Sequence, residues 1–406
     1  MILVAPGVLP PATLTRPCVS PGATLGVLGG GQLGRMFAYA ARILGYHVVV
    51  LDPDPHSPAA QFADAHLCAG YDDQAALLEL GKRCAAITTE FENVPARSLE
   101  LLATLSTVRP AAAAVAIAQD RITEKSYLAG QGFPVTPFVV VRTEQELHEA
   151  LNNISVPALL KRSRLGYDGK GQVPVTNREH AITAFHTLGD EACVLEQRVS
   201  LEKEISVIVA RGADGETVCF PVAENQHQNG ILDISIVPAR ISAALAKQAA
   251  DMAIKLSERL KYCGVLAVEF FVLADDRLLI NEIAPRPHNS GHATLDACVT
   301  SQFEQQVRTL CGLPLGSTRL LSPAVMVNLL GDLWADGEPH WEKLLQHKQV
   351  KLHLYGKGEP RPGRKMGHFT CLDESVEQAL ATALEIKARL LECSKTSTHI
   401  KADARC

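Results

Sequence analysis

Short apolar runs alternate with segments of helical length in the first part of this chain. Four runs with the length of buried strands lie at residues 25–28, 46–51, 65–69 and 85–89. Residues 32–44, between the first two runs, form an apolar segment long enough for a helix. Strands that alternate with helices predict a parallel sheet flanked by helices. We therefore expect an α/β unit over residues 23–120, after a disordered leader over residues 1–22.

The pattern changes beyond residue 120. Extended apolar stretches lie at residues 134–141, 157–162, 193–199 and 204–211, and a helical segment follows at residues 243–260. A last group contains the strand-like runs AVMVNLL and VKLHLY before a final helix. These patterns predict an α+β central part over residues 121–312 and a small carboxy-terminal domain over residues 313–392. Residues 393–406 show no periodicity and are expected to form a frayed tail.

Two apolar strands of the central part predict a β-hairpin. They read LAVEFFVL and LLINEIAP, and the four-residue loop ADDR that joins them favours a hairpin. If Leu273 pairs with Leu278, Glu269 lies directly opposite Glu282, with Cβ atoms ~5 Å apart on one face. Two like charges so placed are unfavourable unless a proton or a cation compensates them, and Mg²⁺ prefers carboxylate oxygens. The hairpin therefore indicates a metal site; the alternative is a slipped register with one glutamate in solvent.

Two polar segments near this hairpin carry further candidate chemistry. The run RPHNSGH, from Arg286 to His292, is too polar to be a simple connection. The glycine-rich segment Gly166–Gln172 contains Lys170, and a glycine-rich backbone with a lysine can cover a polyphosphate without steric conflict. Its spacing is not that of a Walker A motif. The alternative for this segment is a surface turn.

A glycine-rich turn, GGGQLG at residues 29–34, joins the first strand to its helix. Its G-x-G-x-x-G spacing, with Asp52 after the second strand, permits a dinucleotide-binding interpretation. Free N–H groups at a helix N-terminus also attract any phosphate or other anion, so both interpretations stay open. Glu90 and Glu92 follow the fourth strand, where they could accept hydrogen bonds from ribose hydroxyls. A helix cap or a solvated loop is the alternative for them.

Basic side chains are concentrated near the carboxyl end of the chain. Within twelve residues lie Lys357, Arg361, Arg364, Lys365 and His368. A loop with this density of positive charge suits an anionic ligand such as a sugar phosphate. The alternative is a solvated surface turn.

The composition is that of an ordinary globular enzyme, with 47% hydrophobic and 20% charged residues. The net charge of −5 gives no general reason to expect nucleic-acid binding. The 11 cysteines include no C-x-x-C pair, which argues against a disulfide framework or a zinc site and for a reducing cytosol. No apolar run reaches the ~18 residues that a membrane helix needs. We therefore expect a cytoplasmic protein that binds neither nucleic acid nor membrane.

The order of these features resembles the ATP-grasp superfamily: a lysine near a strand end, a glycine-rich loop with a lysine, an E-x-x-V strand, then two glutamates on adjoining strands. The resemblance is most specific in four motifs: GGGQLGRM (29–36), GYDGKGQ (166–172), NEIAPRPHNSGH (281–292) and RPGRKMGH (361–368). Together they are similar to the 5-(carboxyamino)imidazole ribonucleotide synthetase family of purine biosynthesis. The resemblance implies an ATP-grasp fold with an amino-terminal Rossmann-like pre-ATP-grasp domain and a small carboxy-terminal domain.

The resemblance also implies roles for individual residues. ATP would be bound by Arg121, Lys161, Gly166, Tyr167, Asp168, Gly169, Lys170, Gly171, Gln172, Glu196, Gln197, Arg198, Val199, Glu204, His227, Asn281 and Glu282. The ribonucleotide would be bound by Gln32, Leu33, Glu90, Glu92, Asn289, Ser290, Lys357 and Arg364. The reaction centre would be lined by Tyr167, Asp168, Lys170, Arg286 and His288. The metal ligands would be Glu269 and Glu282.

The family's reaction is the carboxylation of the exocyclic amine of 5-aminoimidazole ribonucleotide with ATP and bicarbonate, through carboxyphosphate. The implied cofactors are ATP and Mg²⁺, with Mn²⁺ as an alternative ion, and neither biotin nor NAD. The implied assembly is a homodimer. The amine proton would go either to His288 or to the departing phosphate.

Leu165 and Lys170 depart from the family loop, which often has Gly and Arg there. Lysine keeps the charge of arginine but not its fork for bidentate contacts, so the role of Lys170 stays open. One competing hypothesis is another ATP-grasp carboxylate–amine ligase, such as formate-dependent glycinamide ribonucleotide transformylase. An NAD-dependent oxidoreductase would explain the amino-terminal glycines but would leave the paired glutamates without a role. A non-catalytic nucleotide sensor is the third alternative.

Overall fold

The computed structural model describes residues 18–166 and 168–403, with side chains up to residue 391. The first elements are β1 (Thr24–Leu28), α1 (Gln32–Ile43), β2 (His47–Leu51), β3 (Ala65–Leu67), α2 (Gln74–Arg83), β4 (Ala86–Thr89), α3 (Ala96–Ala103), β5 (Thr107–Val108) and α4 (Ala112–Ala118). The strands form a parallel sheet in the order β3-β2-β1-β4-β5. Val48, Val49 and Val50 are almost fully buried, as is typical of a β-branched strand covered on both faces. The predicted α/β character of this part is confirmed.

A small antiparallel sheet follows. Its elements are α5 (Arg121–Gly130), β6 (Phe138–Val141), α6 (Glu144–Ala150), β7 (Ala158–Arg162), β8 (Gln172–Val175), α7 (Arg178–Thr187) and β9 (Cys193–Gln197). The strand order is β6-β9-β7-β8. Helices α6 and α7 cover the sheet, and Leu147, Leu160 and Phe185 belong to its separate apolar core. The glycine-rich segment 166–172 connects β7 to β8, so this small sheet carries it.

The rest of the chain builds one large sheet. Its elements are β10 (Leu201–Arg211), β11 (Thr217–Cys219), β12 (Ala223–Gln228), β13 (Ile231–Val237), α8 (Ala243–Arg259), β14 (Gly264–Leu273), β15 (Leu278–Ala284), α9 (Thr294–Ala297), α10 (Gln302–Cys311), β16 (Ala324–Leu330), α11 (Trp341–Leu345), β17 (Val350–Leu354), β18 (Lys365–Leu372) and α12 (Val376–Asp403). The strand order is β15-β14-β10-β12-β13-β16-β18-β17, and β11 pairs with β10. Because β13 pairs with β16, the carboxy-terminal strands extend the central sheet. The basic loop between β17 and β18 therefore shares a sheet with the hairpin β14–β15.

The hairpin β14–β15 contains a β-bulge that the sequence did not predict. Near the turn, Val272 pairs with Leu278, which is one residue away from the expected Leu273–Leu278 pair. The register then shifts between Phe270 and Glu269, and Asn281 is the extra residue. Beyond the bulge Glu269 lies opposite Glu282, as predicted. The glutamate pairing is thus correct, although the predicted register at the turn was wrong.

Helix α10 fastens the amino-terminal part to the large sheet. Phe303, Val307 and Leu310 of α10 share an apolar cluster with Phe37 of α1. The guanidinium of Arg109 donates hydrogen bonds to the main-chain oxygens at the end of α10, at 2.6 and 3.0 Å. Residues of the amino-terminal sheet are thereby held beside the hairpin and the segment that follows it.

The two ends of the described chain extend the fold. Within the expected leader, the Val19 amide donates to the Cys311 carbonyl at 2.9 Å, while residues 1–17 lie outside the described residues. Helix α12 continues to Asp403, past the expected start of the tail at residue 393. Among the described residues, no helix combines the length and apolar character needed to span a bilayer.

Candidate active site

One cavity of about 1120 Å³ lies where the amino-terminal part, the small sheet, the large sheet and the basic loop meet. Most of the candidate residues line it: Gln32, Leu33, Glu90, Glu92, Arg121, Lys161, Gly166, Asp168, Gly169, Lys170, Gln172, Glu204, His227, Glu269, Asn281, Glu282, Arg286, His288, Asn289, Lys357 and Arg364. Residues that are more than 300 positions apart in the sequence therefore face one space. Tyr167 lies outside the described residues.

Six candidates do not line this cavity: Gly171, Glu196, Gln197, Arg198, Val199 and Ser290. Glu196 is buried, and its carboxylate contacts Lys161 at 2.7 Å and Lys125 at 3.1 Å. Gln197 exchanges two hydrogen bonds with the main chain of Ser155. The carboxylate of Glu196, which was expected to bind ATP, is therefore engaged by two buried ammonium groups that compensate its charge.

The paired glutamates differ in their environments. The Glu269 carboxylate contacts His288 Nε2 at 3.0 Å, whereas Glu282 lies 3.7 Å from the Arg121 guanidinium. Burial alone would raise the pKa of Glu269, but the adjacent His288 lowers it to about 2. Burial and the negative charge of Glu269 raise the pKa of Glu282. The pair therefore concentrates negative charge in the cavity, and Glu282 is the member that gains most from a nearby cation.

The donor set around Glu282 fits a hard divalent cation. Asn281 lines the same cavity as the two glutamates, and its side-chain oxygen is buried without a hydrogen-bond partner. Carboxylate and amide oxygens are the ligands that Mg²⁺ and Mn²⁺ prefer. A second group of possible ligands, Glu204, His227 and Glu269, has its atoms within 4.8 Å of one another but omits Glu282.

A buried cationic group lies on the small-sheet side of the cavity. Lys161 on β7 and Lys125 on α5 share Glu196, and both lysines are buried. Burial lowers the pKa of Lys161, partly offset by the Glu196 charge. Glu124 on the same helix accepts a hydrogen bond from the Ile283 amide at 2.6 Å, and burial with the Glu282 charge raises its pKa to about 8. Lys125 and Glu124 were not among the candidates, although both lie in the helix that begins at Arg121.

The glycine-rich segment contacts the large sheet. Asp168, Gly169 and Gly171 have positive φ angles of 47°, 75° and 73°, which explains the two glycines. A Cβ at Gly230 would lie 2.7 Å from Gly169 Cα, so the segment packs closely on the turn between β12 and β13. The Asp168 carboxylate also contacts Lys365 Nζ of β18 at 2.7 Å. The segment therefore covers the cavity and touches the carboxy-terminal strands.

The amino-terminal glycine turn is occupied by the protein's own carboxylates. Glu90 accepts hydrogen bonds from the amides of Gly31 at 2.6 Å and Gly34 at 2.5 Å. Asp52 accepts from the Gly30 amide and from the Tyr71 hydroxyl, each at 2.6 Å. The N–H groups of Gly30, Gly31 and Gly34 are therefore not free for a phosphate, whereas ribose binding by Glu90, which also lines the cavity, stays a prediction. Glu90 is a helix cap, and the neighbouring Glu92 binds the Arg286 guanidinium at 2.5 Å.

The basic loop supplies a second cationic group. Lys357, Arg361, Arg364 and Lys365 line the cavity. Burial, followed by the charge of Arg364, lowers the pKa of Lys357 to about 8. Mutual repulsion of these cations is relieved when an anion binds. The expectation that His368 belongs to the basic loop is wrong. His368 is fully buried on β18, where its Nδ1 lies 2.8 Å from the Tyr355 hydroxyl.

Three family models match successive parts of the chain. They are the ribonucleotide synthetase preATP-grasp domain at residues 22–119, the ATP-grasp domain at residues 126–303 and the phosphoribosylaminoimidazole carboxylase C-terminal domain at residues 324–382. The fold and the site thus define an ATP-grasp ligase, with a parallel-sheet preATP-grasp domain and a carboxy-terminal domain.

Individual relatives narrow this class. N5-carboxyaminoimidazole ribonucleotide synthase of Bacillus subtilis is 45% identical over 365 residues, which is 90% of this chain and 95% of that protein. An ADP complex of N5-carboxyaminoimidazole ribonucleotide synthetase has a TM-score of 0.88 at 44% identity, covering 93% and 99% of the two chains. The Aspergillus clavatus enzyme with ADP and 5-aminoimidazole ribonucleotide has a TM-score of 0.84 at 31% identity, covering 91% and 99%. The chain belongs to the N5-carboxyaminoimidazole ribonucleotide synthase family.

Proposed function

We propose that this chain uses ATP and bicarbonate to carboxylate the exocyclic amine of 5-aminoimidazole ribonucleotide, forming N5-carboxyaminoimidazole ribonucleotide in purine biosynthesis. One observation carries the proposal: a single cavity contains the opposed Glu269 and Glu282 and two separate cationic groups. One group includes Arg121 and Lys161; the other is the basic loop. Two cationic groups in one cavity suit two phosphorylated substrates that must react with each other.

ATP is assigned to the small-sheet side. Arg121 and Lys161 offset the charge of its phosphates, and the glycine-rich segment lies over them with Lys170. Glu204 and His227, joined at 2.9 Å, are placed on the adjacent strands for the ribose and base. The main chain of residues 196–199 is assigned to the purine, because the Glu196 and Gln197 side chains have other partners.

The divalent cation that ATP-grasp ligases use is assigned to Glu269, Glu282 and the Asn281 side-chain oxygen. We propose Mg²⁺, with Mn²⁺ as the alternative that shares its preference for oxygen ligands. When bound, such an ion supplies neutralisation of the phosphate charge.

The ribonucleotide is assigned to the opposite side. Lys357 and Arg364 receive its phosphate, and Gln32, Leu33 and Asn289 line the path between this phosphate and the reaction centre. Arg286, partly buried and paired with Glu92, keeps its positive charge and is placed to hold the carbonate group. The guanidinium geometry suits a planar, two-oxygen anion.

The chemistry needs little covalent participation from the protein. An oxygen of bicarbonate attacks the γ-phosphorus of ATP, the bond to ADP breaks, and carboxyphosphate forms. The amine nitrogen of the ribonucleotide then attacks the carbonyl carbon, and inorganic phosphate leaves. The protein positions the reactants and offsets their charge, while the glycine-rich segment excludes water that would hydrolyse carboxyphosphate.

We also propose a cytoplasmic location and a homodimer. All nine cysteines among the described residues are unpaired, which suits a reducing compartment. The dimer is suggested by the family resemblance, and light scattering on the purified chain tests it.

The reaction is tested by measuring ADP release with ATP, bicarbonate and 5-aminoimidazole ribonucleotide, omitting each in turn. We expect the rate to fall to background in each omission, because each reactant is needed for turnover. Formate in place of bicarbonate serves as the control for a related ligase. Full ADP release with formate would contradict the proposed substrate.

A further inference from the structure

His288 sits at the reaction centre, and a single side chain fixes its main chain. The Gln302 side chain at the start of α10 accepts a hydrogen bond from the His288 amide at 2.9 Å and donates one to the His288 carbonyl at 2.7 Å. A Cβ at Gly291 would lie 2.5 Å from Gln302 Oε1, so the segment is closely fitted to this side chain. These two hydrogen bonds therefore fix the backbone of His288 relative to α10.

Contacts with Glu269 and Ser290 orient the imidazole ring of His288. Its Nε2 faces Glu269 at 3.0 Å. Its Nδ1 lies 2.9 Å from the Ser290 hydroxyl and 3.3 Å from the Ser290 amide nitrogen. A main-chain N–H can only donate, so Nδ1 has to be an acceptor without a proton. A neutral imidazole with a bare Nδ1 carries its proton on Nε2, which is the nitrogen that faces Glu269.

A chain of buried polar side chains continues from Ser290 into the large sheet. The Ser206 hydroxyl of β10 lies 2.7 Å from that of Ser290, the Asn225 amide of β12 donates to Ser206 at 3.0 Å, and the Ser235 hydroxyl of β13 donates to Asn225 at 2.9 Å. All four side chains are at most 6% exposed. We call Ser235, Asn225, Ser206 and Ser290 the serine–asparagine relay.

The hydrogen bonds of the relay all donate in one direction, which agrees with an unprotonated Nδ1 on His288. The Asn225 amide donates to the Ser206 hydroxyl, and the Ser206 hydroxyl donates onward to Ser290. Ser290 then has its own proton free for Nδ1 of His288. Every donor in the relay thus points towards His288. Buried polar side chains on three adjacent strands carry a desolvation cost, and the hydrogen bonds of this network offset it.

We propose that Ser206, Asn225 and Ser235 are positioning residues, which act through Ser290 to hold His288 as the Nε2–H tautomer. His288 is then a hydrogen-bond donor at the reaction centre, towards Glu269 and the oxygens of carbonate or carboxyphosphate. Its only other ring nitrogen is engaged by Ser290, so His288 is not the group that takes the amine proton. This assignment rests on the proposed function for the identity of the reactants.

The tautomer is measured by nitrogen NMR of the full chain labelled with ¹⁵N-histidine, with His288→Gln identifying the signals of His288. We expect Nδ1 to resonate as an unprotonated acceptor and Nε2 as a protonated nitrogen. A protonated Nδ1 with a bare Nε2 would overturn the proposal. This measurement uses the protein without substrates, so it stands even if the proposed reaction is wrong.

Kinetics test the positioning role. Ser206→Ala should lower kcat about 10–100-fold, as loss of a side chain that orients a reacting group does, while KM for ATP and for the ribonucleotide changes less than about twofold. Ser206→Thr, which restores the hydroxyl, should recover most of kcat. The matched control is Ser257→Ala on α8, a fully buried serine whose hydroxyl bonds only within its own helix.

A kcat for Ser206→Ala equal to that of Ser257→Ala would overturn the role, as would a parallel rise of KM for both substrates. A folded Ser206→Thr protein with no recovery would also contradict it. Ser235→Ala, at the far end of the relay, should lower kcat in the same direction by a smaller factor. If the wild-type chain releases no ADP in the presence of bicarbonate and ribonucleotide, the proposed function fails and the NMR result alone decides the tautomer.

Discussion

Individual side chains of the cavity owe their chemistry to partners that are distant in sequence. Glu282 shows this most clearly: burial and the opposed Glu269 charge raise its pKa, so its ionised form is unfavourable until a cation approaches. A group with a raised pKa in the folded protein costs stability above its unfolded pKa. The ionised carboxylate of Glu282 therefore costs the fold stability at neutral pH.

Replacing Glu282 by glutamine should separate these two roles. At fixed Mg²⁺, Glu282→Gln should lower ADP formation by about two orders of magnitude, because a ligand worth several kcal/mol of charge stabilisation is lost. The thermal midpoint at pH 7 without ligands should not fall, since a like-charge contact is removed. Glu79→Gln, which alters an exposed ion pair on α2, is the control and should leave both quantities unchanged. Near-normal ADP formation would contradict the metal assignment.

The proposed role of Lys357 in ribonucleotide binding predicts a dependence of that binding on pH. Its pKa is lowered to about 8, so the ammonium is charged below that pH and loses its charge above it. We expect KM for the ribonucleotide, but not for ATP, to rise as pH increases from 7 to 9. Lys357→Arg should flatten this dependence, and Lys357→Ala should raise the ribonucleotide KM about 10–100-fold at pH 7, the value of a charge-assisted hydrogen bond. If the KM values for both substrates rise alike, the basic loop has another role.

Irregularities in the strands, as well as regular strand pairing, determine where these side chains lie. The bulge at Asn281 is the main example in β15, because the extra residue lines the same cavity as the two glutamates and its side-chain oxygen has no hydrogen-bond partner. Without the bulge, Asn281 would be an ordinary paired residue of the strand. Bulges beside active sites re-aim side chains in this way.

Asn281→Ala should therefore weaken the metal site without disturbing the hairpin. We expect the Mg²⁺ concentration for half-maximal ADP release to rise about 10-fold, the usual loss when a supporting oxygen is removed. Asn281→Asp, which keeps an oxygen, should stay closer to wild type. An unchanged Mg²⁺ requirement in Asn281→Ala would show that this oxygen takes no part.

Helix α1 depends on Glu90 for its amino-terminal cap. Because one carboxylate accepts two amides there, Glu90→Ala should cost about 2–4 kcal/mol of unfolding free energy, as two donors lose their partner. Asp73→Ala, which removes the single-bond cap of α2, should cost about 1 kcal/mol and serves as the control. Urea unfolding followed by circular dichroism measures both. Equal losses in the two variants would contradict the special role of Glu90.

At the scale of the whole molecule, features that depend on neighbouring residues were predicted, and contacts between distant elements were missed. The alternation of apolar runs predicted the parallel sheet and the hairpin, because the spacing of buried positions along a strand or helix can be read from neighbouring residues. The Glu269–Glu282 pair was predicted correctly because the bulge at Asn281 offsets the one-residue difference in register at the turn. The pairing of Glu196 with Lys125 and of Glu90 with the glycine turn was missed, because each partner comes from a different element. The continuation of the large sheet from β13 into β16 is equally non-local.

The fate of the bicarbonate oxygens tests the carboxyphosphate route most directly. With ¹⁸O-labelled bicarbonate, ATP and 5-aminoimidazole ribonucleotide, we expect one labelled oxygen in each molecule of inorganic phosphate, because bicarbonate attacks the γ-phosphorus. Mass spectrometry of the released phosphate measures this, with unlabelled bicarbonate in labelled water as the control for exchange. Phosphate without label from bicarbonate, formed at the rate of ribonucleotide carboxylation, would contradict the carboxyphosphate route and with it the proposed function of the cavity.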